Sequence, residues 1–503
     1  MRMSRLCAQA VPGALLAMTS VSAETKPHRL FPDTVSTSKN ELNFQVIDSE
    51  DLAIFARAEA DYSHGKIYLA EIDGDELLGS RLIGFSDARY KDSDPWLSPS
   101  GTELYFISDR PAYLGDVRDD HDNYDIWRSR RTGGAWSAPE HLSSLATPAG
   151  EFGPELNNGY LYFSSRKQGR YDIYRARIEP NGFGTPEALP APFNTDTHDS
   201  DFTMTKDGRV ALWWSTRPGG HGSGDLYVSR LTKRGWTTAE NLGPAVNSAG
   251  LDYTPSLSPN NAVFYFATNK PFPGQDEGAA DVYKVPVKDV PVLRQAIAAN
   301  ALARLKEAFG GDEVLKSIKT LSVTLKTDSQ RSGAKSKTIF IDFAASAISE
   351  YDADKQIRIF ANPEQAVEVS QEAASPMPED HRDRIVDNMT ANFLYYLTAD
   401  DLEFLGPENI RGHGDLNWFR MHARGAVSPL VGLDPKTGRI VKVMGESNHI
   451  ALELDYLKNE TGFIWPYRFL VERDGERVLE GSFSDLEVNV PPPDNAPEWF
   501  AAN

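Results

Sequence analysis

Acidic residues recur in this chain at one position of a repeating pattern, and carboxylates in such an arrangement could do hydrolytic chemistry. In four places an acid precedes an aromatic residue by 14 positions, as Asp92 precedes Phe106, and in a fifth place the spacing is 12. A glycosidase needs one carboxyl as general acid and a second as base or nucleophile. The five acids, called the register acids below, are Glu41, Asp92, Glu151, Asp199 and Asp252.

The regular spacing of the register acids favours a structural role over a catalytic one. Catalysis requires different groups in different places, whereas these acids occur once in each repeat. An acid beside a turn is suited to accept backbone N–H bonds from a neighbouring repeat. The sequence therefore predicts no catalytic, cofactor-binding or metal-binding residue, and the alternative is a hydrolase that uses Asp92, Glu151 or Asp199 as its acid pair.

One loop has the composition of a hard-cation site. Residues 119–125 read DDHDNYD, and carboxylate oxygens are ligands that Ca²⁺ prefers. The run lacks the glycine and the terminal glutamate of a known calcium loop, so a solvated charged loop is the preferred interpretation and calcium binding the alternative.

Turn signals and short strands surround each register acid. Turns such as Ser98-Pro99-Ser100-Gly101 separate the acid from an aromatic strand, which we interpret as the inner strand of the repeat. A strand of the type Asp172-Ile173-Tyr174 follows in four copies, and then a segment of the type Trp136-Ser137-Ala138-Pro139. Short strands repeated at this period are typical of β-propeller blades.

The number of register acids predicts five blades, with six as the alternative if a degenerate copy exists. The last copy ends at Val287 without its own outer segment. Residues 30–37 resemble the linkers that precede the other copies, so we expect the N-terminal segment to complete the last blade. Such a closed ring would leave few open sheet edges.

These repeats resemble the TolB-type propeller of bacterial envelope proteins. That family's pattern of an acid, a proline and a Ser-Pro-Asp-Gly turn is matched by Asp94-Pro95-Trp96-Leu97-Ser98-Pro99-Ser100-Gly101 and by Thr254-Pro255-Ser256-Leu257-Ser258-Pro259. The resemblance covers residues 30–288. It implies a fold and not a reaction.

The repeat pattern ends before Pro291, and a different pattern of residues follows. Leu293 to Phe309 has the spacing of a helix that ends at Gly310-Gly311, and residues 380–397 predict a second long helix among alternating strand segments. The order predicts an α+β domain in which a curved antiparallel sheet wraps a helix. Residues 433–440 and 462–490 resemble the LolA/LolB lipoprotein-sorting fold, which implies a half-barrel with an apolar pocket for a lipid.

The N-terminus and the charge indicate where the protein works. Residues 1–23 have the basic, apolar and small-residue regions of a secretory signal, and the single Cys7 lies inside it. No later segment reaches the length of a transmembrane helix. A net charge of −20 argues against a nucleic-acid partner. We therefore expect a periplasmic protein, with secretion as the alternative.

Together these features predict a mainly β, exported, non-enzymatic binding or scaffold protein without a cofactor. Residues 1–23 would be the signal peptide, 24–290 the propeller and 291–503 the LolA/LolB-like half-barrel. An envelope protein or a glycan is the expected partner of the propeller, and a lipid is the expected ligand of the half-barrel. The alternative function is a hydrolase of envelope or imported carbohydrate. The sequence identifies neither the partner nor the face that binds it.

Overall fold

The structure is a computed structural model of the whole chain. It describes residues 26–500 apart from 48–50, 74–75, 113–122, 271–278, 330–332, 344–346, 363, 371–372, 380–381, 383–400, 407–415, 423–428, 435–436, 445–448, 474–475, 495 and 498–499. The predicted signal peptide (1–23), most of the predicted helix at 380–397 and most of the acidic loop at 119–125 lie outside the described residues. The described chain is mainly β.

The first part of the chain forms five antiparallel sheets of four or five strands. The first sheet contains β2 Asn40–Ile47, β3 Leu52–Ala58, β4 Lys66–Asp73 and β5 Glu76–Leu82, and the second contains β6 Asp92–Leu97, β7 Glu103–Ser108, β8 Asp125–Thr132, β9 Ala135–Trp136 and β10 Glu140–His141. The third sheet contains β11 Glu151–Asn157, β12 Tyr160–Ser165, β13 Asp172–Glu179, β14 Gly182–Phe183 and β15 Glu187–Ala188. The fourth contains β16 Asp199–Met204, β17 Val210–Ser215, β18 Asp225–Thr232, β19 Gly235–Trp236 and β20 Glu240–Asn241.

The fifth sheet joins the two ends of this region. It consists of β21 Asp252–Leu257, β22 Val263–Thr268, β23 Asp281–Pro286 and the N-terminal strand β1 His28–Arg29. The pairing of His28 with Lys284 and of Arg29 with Tyr283 confirms that the N-terminal segment supplies the outer strand of the last sheet. Leu30 and Val35, which follow β1, are buried in the adjoining core.

The first strands of the five sheets lie together around one axis. Each of these strands, called the axial strands, contacts the axial strand of the next sheet, and the last contacts the first: β2, β6, β11, β16 and β21. Our interpretation of the aromatic run as the inner strand was wrong, because in every sheet the run is the second strand and packs between the axial strand and the third. Its rings, such as Phe106 and Trp213, fill the cores between sheets.

A helix and a second β region follow. A short 3₁₀ helix, Val287–Asp289, leads into α1 Pro291–Ala308, which begins with proline at its first turn and ends before Gly310 and Gly311, both at positive φ. This confirms the helix predicted at 293–309. The short α2 Asp312–Ser317 comes next.

The remaining strands form one antiparallel sheet of thirteen. In chain order they are β24 Thr320–Ser329, β25 Gly333–Asp342, β26 Ala347–Asp352, β27 Ile357–Ala361, β28 Ala366–Val369, β29 Ala374–Pro376, β30 Asp401–Gly406, β31 Asn417–His422, β32 Leu430–Leu433, β33 Ile440–Met444, β34 His449–Lys458, β35 Ile464–Arg473 and β36 Glu476–Val488.

Helix α1 connects the two β regions through its apolar and polar faces. Leu293, Ile297 and Leu305 share one hydrophobic core with Phe404 and Phe419 of the large sheet. That core continues into the fourth and fifth of the small sheets. The last strand, β36, lies in the middle of the large sheet, where it pairs with β24 on one side and β35 on the other.

Candidate functional site

Four of the register acids begin their axial strands, Glu41 is the second residue of β2, and all five are fully buried. Each donates its backbone N–H to a carbonyl of the preceding sheet, for example Asp92 to Gly65 and Asp199 to Tyr171, both at 2.9 Å. Glu41 donates in the same way to Ala280 of the last sheet, at 2.8 Å. The acids therefore lie where one sheet joins the next.

The carboxylates of four register acids bind the loop that leads into their own strand. In each of these four, a threonine or serine four residues earlier donates its backbone N–H to the carboxylate. In three of the four, its hydroxyl also donates to the carboxylate. For Glu151, the Thr147 N–H lies 3.1 Å from Oε2 and the Thr147 hydroxyl 2.6 Å from Oε1. The same arrangement joins Thr37 to Glu41 and Thr195 to Asp199, and the Ser248 N–H lies 2.6 Å from Asp252.

Asp92 differs because alanine occupies the position four residues earlier. Its carboxylate instead accepts a bond of 2.7 Å from the buried guanidinium of Arg110. Arginines also contact two other register acids, with Arg57 at 2.7 Å from Glu41 and Arg217 at 2.9 Å from Asp199.

Burial raises the pKa of most register acids. Desolvation raises the pKa of Asp92 to about 6 and the pKa values of Glu151 and Asp252 to about 7, against the hydrogen bonds and cations that lower them. The pKa of Glu41 is also raised by burial. None of the five register acids lines the cavity that the axial strands enclose.

That cavity lies on the axis and is framed by a different set of residues, two positions after the register acids. The five residues all have left-handed backbone angles, with φ between 47° and 54°, and each lies at an irregularity in its axial strand. Such a bulge redirects side chains and backbone N–H groups. We call this set the axial ring: Asn43, Asp94, Gly153, Asp201 and Thr254.

Hydrogen bonds join successive members of the axial ring. Asp94 accepts the N–H of Gly153 at 3.0 Å, Asp201 accepts the N–H of Thr254 at 3.2 Å, and the Thr254 hydroxyl accepts the N–H of Asn43 at 3.3 Å. Each of these bonds passes from one sheet to the next. The two aspartates therefore have fixed positions on either side of Gly153.

The cavity has a volume of about 390 Å³ and extends from the axial ring to the hairpins that end the axial strands. Its wall includes a third carboxyl, Glu155, which accepts the N–H of Met204 at 3.0 Å and a bond from Thr203. Pro99, Asn158 and Pro259 of the hairpins form the rim. On the other side of the axial ring, Tyr253 is buried and its hydroxyl lies 3.0 Å from that of Tyr62.

All three cavity carboxyls hold a proton more tightly than an exposed acid does. Desolvation, followed by repulsion from Asp94, raises the pKa of Asp201 to about 7, and burial raises the pKa of Asp94. Burial also raises the pKa of Glu155 to about 8. The site can therefore accept hydrogen bonds, bind cations or donate a proton near neutral pH.

The sequence contained one usable signal for the axial ring. Asp94 and Asp201 occur in the repeat position that Asn43, Gly153 and Thr254 occupy elsewhere, so this position varies while the register acids do not. Functional groups on a repeat fold are expected at positions that differ among the repeats. We had named the residues around Asp94 only as part of a structural pattern.

Comparisons with known proteins place the chain near several β-rich structures at low similarity. The chain matches no family model and no curated protein sequence. A TolB-type protein from Agrobacterium tumefaciens is 15% identical, with 46% of this chain and 71% of that chain covered and a TM-score of 0.31.

Two further structures match at a similarly low level. An α-L-arabinofuranosidase from Podospora anserina is 11% identical over 52% of this chain and 94% of its own, with a TM-score of 0.36. A LolA-superfamily protein from Nitrosomonas europaea is 14% identical over 39% of this chain and 94% of its own, with a TM-score of 0.29. Similarity at this level assigns no activity to the chain.

No helix in the described ranges is long and apolar enough to cross a lipid bilayer.

Proposed function

We propose that this protein is an exported, non-enzymatic binding protein of the bacterial periplasm, in which a five-bladed propeller (residues 24–290) holds a partner in its axial cavity. The observation that carries the proposal is that hydrogen bonds fix the three carboxyls of the cavity in place. Asp94, Glu155 and Asp201 each accept a backbone N–H from the neighbouring sheet. They are rigid acceptors on a closed ring of sheets, which suits recognition.

The register acids have a structural role in this proposal. They lie outside the cavity wall and satisfy the loops that enter the axial strands. Asp199→Asn and Asp92→Asn should therefore lower the melting temperature and leave partner binding intact in the folded fraction. A change in binding without a change in melting temperature would contradict the structural role.

The partner is a polypeptide segment that enters through the hairpin rim. The rim is exposed at Pro99 and Asn158, whereas Tyr253 and its bond to Tyr62 obstruct the other side of the axis. The chain's net charge of −20 and the three cavity carboxyls favour a partner with basic residues.

Site-specific photo-crosslinking tests this function. A photoreactive residue at Asn261, on the cavity rim, should capture a defined periplasmic polypeptide in living cells, and mass spectrometry would identify it. The matched control is Leu78, which is 65% exposed on β5 and lies far from the cavity wall. The same adducts from both positions, or no adduct from Asn261, would contradict the proposal.

A carbohydrate-directed hydrolase is the second candidate, and one observation favours it. Asp94, Glu155 and Asp201 are carboxyls in different repeat positions that meet at one cavity, and their raised pKa values suit a general acid. This candidate predicts that the purified protein hydrolyses aryl glycosides or envelope oligosaccharides. It also predicts that Asp94→Asn or Asp201→Asn abolishes turnover at an unchanged melting temperature.

The LolA/LolB-like half-barrel at 291–503 has a docking role in this proposal. Helix α1 already packs its apolar residues into the core of the large sheet and binds the propeller hairpin at Asp207. A lipid carrier is the alternative, and it predicts that native mass spectrometry of the periplasmic form detects bound lipid. If the protein carries no lipid and still forms the crosslink to its partner, the result would support a docking role for residues 291–503 and contradict a lipid carrier.

A further inference from the structure

Two amide oxygens at the axial cavity lack a hydrogen-bond donor. Asn43 and Asn157 line the cavity, and the Oδ1 atom of each is buried without a hydrogen-bond partner. The Asn157 amide nitrogen donates to the Thr205 carbonyl at 3.2 Å, so the orientation that leaves its oxygen unpaired is the one that satisfies its nitrogen. A buried acceptor without a donor is costly, and a ligand with several N–H groups would remove that cost.

The ionisable side chains of the cavity wall near the axis are all carboxyls. The wall contains Asp94, Glu155 and Asp201, and its single basic residue is Lys206. Lys206 is exposed in the hairpin at the rim, away from the axial ring. A cation entering the cavity therefore meets carboxyls and amide oxygens, with the one competing charge at the opening.

Gly153 leaves the space between the two aspartates open. Asp94 and Asp201 belong to the sheets on either side of Gly153, and each uses Oδ2 for the N–H of the next axial-ring residue. A Cβ atom at Gly153 would lie 3.4 Å from Oδ1 of Asp201. The missing side chain therefore gives a ligand access to both carboxyls from the cavity.

We propose that the axial ring is a binding site for a protonated amine or guanidinium, held between Asp94 and Asp201 with the Asn43 oxygen as a third acceptor. The inference rests on the binding function proposed above and names the group that its partner must present. Arginine and lysine side chains of a polypeptide and free amines share this chemistry. Planar guanidinium, with five N–H donors, matches two carboxyls and an unpartnered amide oxygen best.

Proton linkage gives the site a characteristic pH dependence. The ionisable groups near Asp201 are Asp94 from β6, Glu155 from β11 and Tyr253 from β21, and the indole of Trp214 also donates to Asp201. Burial and the repulsion between the aspartates keep a proton on the pair at neutral pH, and Asp201 has a pKa of about 7. A bound cation favours the ionised pair, so affinity should rise between pH 6 and pH 8.

Calorimetry with arginine amide tests the site on the full-length mature protein. We expect saturable binding that strengthens at least about threefold from pH 6 to pH 8, and no binding of N-acetylcitrulline amide, an analogue that carries no charge because its α-amino group is acetylated. Asp94→Asn and Asp201→Asn should each weaken binding at least about tenfold, as expected for loss of a charge-assisted contact. Asp73→Asn, at an exposed position on β4, is the matched control and should bind as the wild type does.

A gain-of-function variant keeps the test valid if an asparagine variant folds poorly. Asn43→Asp retains a residue that tolerates the left-handed backbone and adds a third carboxylate to the ring. It should bind arginine amide more tightly than the wild type. Equal binding of N-acetylcitrulline amide, unchanged binding by the Asp94→Asn/Asp201→Asn double variant, or Ca²⁺ binding in place of the amide would overturn the inference.

Two comparisons separate this inference from the binding function on which it rests. If the Asn261 crosslink persists in the double variant, the partner binds without a cation at the axial ring, and only the inference fails. If the wild type forms no crosslink and binds no arginine amide, both fail. Binding of arginine amide and of Ac-Gly-Arg-Gly-amide with similar affinity would show that a polypeptide can present the cation, whereas binding of the free amide alone would assign the site to a small amine.

Discussion

At the scale of single residues, two side chains in equivalent positions show how a buried carboxyl can act as an amide. Gln45 lies four residues after its register acid and both donates to the Leu97 carbonyl at 3.1 Å and accepts the Leu97 N–H at 2.8 Å. Glu155 has the same position in the third sheet and accepts the N–H of Met204. Its pKa of about 8 means that the protonated form, which resembles glutamine, prevails at neutral pH.

Glu155→Gln should therefore leave stability unchanged at pH 6 and increase it at pH 9, where the wild-type carboxyl must ionise in a buried place. Glu155→Ala should cost about 1–3 kcal/mol at both pH values, because the Met204 N–H loses its acceptor. Thermal melts at the two pH values measure both. Gln45→Glu is the reciprocal control, and it should destabilise the protein more at pH 9 than at pH 6; equal effects at both pH values would contradict this account.

At the scale of strands and helices, the N-terminal strand is the element on which ring closure depends. β1 pairs with β23, Arg29 forms a 2.9 Å ion pair with Asp281, and Leu30 and Val35 fill the core beside it. Deletion of residues 24–36 removes this strand but keeps Thr37, which binds Glu41. Two buried aliphatic side chains and the ladder bonds together contribute about 4–8 kcal/mol.

The deletion should lower the melting temperature strongly and make residues 24–290 sensitive to protease at temperatures that the full chain resists. Arg81→Ala is a suitable control, because Arg81 forms an ion pair with Glu71 in which both side chains are exposed, at the outside of the first sheet. A surface pair of this kind contributes about 0–1 kcal/mol. A deletion variant as protease-resistant as the wild type would show that the ring does not need β1.

The contact of α1 with the fourth sheet links the two β regions of the chain. The buried Asn300 amide and the Arg304 guanidinium donate to the same oxygen of Asp207 at 2.8 and 3.0 Å, and Arg209 pairs with Glu307 at 2.9 Å. Asn300→Ala/Arg304→Ala leaves the hairpin of Asp207 intact. It should split a single calorimetric transition into two, whereas Lys233→Ala, which removes an exposed pair with Asp312, should not.

The elements that the sequence predicted best are those whose pattern is local. The period of the acids and aromatics placed the axial and second strands, and proline and glycine placed the ends of α1. The order of strands within each sheet was harder, because an aromatic run next to a buried acid does not show which strand is nearer the axis. The axial ring was missed because its left-handed bulges, such as those at Asp94 and Asp201, depend on contacts between sheets that the sequence does not reveal.

At the scale of the whole molecule, buried carboxyls with raised pKa values dominate the response of the fold to pH. Burial raises the pKa of Asp92 to about 6, of Glu151, Asp201 and Asp252 to about 7, and of Glu155 to about 8. In the unfolded chain these groups return to ordinary values near 4. The folded state therefore binds more protons than the unfolded state between about pH 4 and pH 8.

The sign of the effect follows from proton linkage. A group whose pKa is raised by folding contributes stability that is complete below its unfolded pKa and is lost as the pH rises through its folded pKa. The protein should therefore melt at a higher temperature at pH 5.5 than at pH 8.5, by about 5 °C or more, since one kcal/mol corresponds to about 2–4 °C in a domain of this size. Protonation also reduces the repulsion within a chain of net charge −20.

Glu155→Gln should make the decline above pH 7 shallower without removing it, because the other raised carboxyls keep their ionisable groups. Calorimetric scans at half-unit pH intervals, in buffers of equal ionic strength, would measure the slope for the wild type and the variant. A melting temperature that increases steadily from pH 5.5 to pH 8.5 would mean that arginine pairs, such as Arg110 with Asp92, outweigh desolvation and keep the register acids ionised in the folded state.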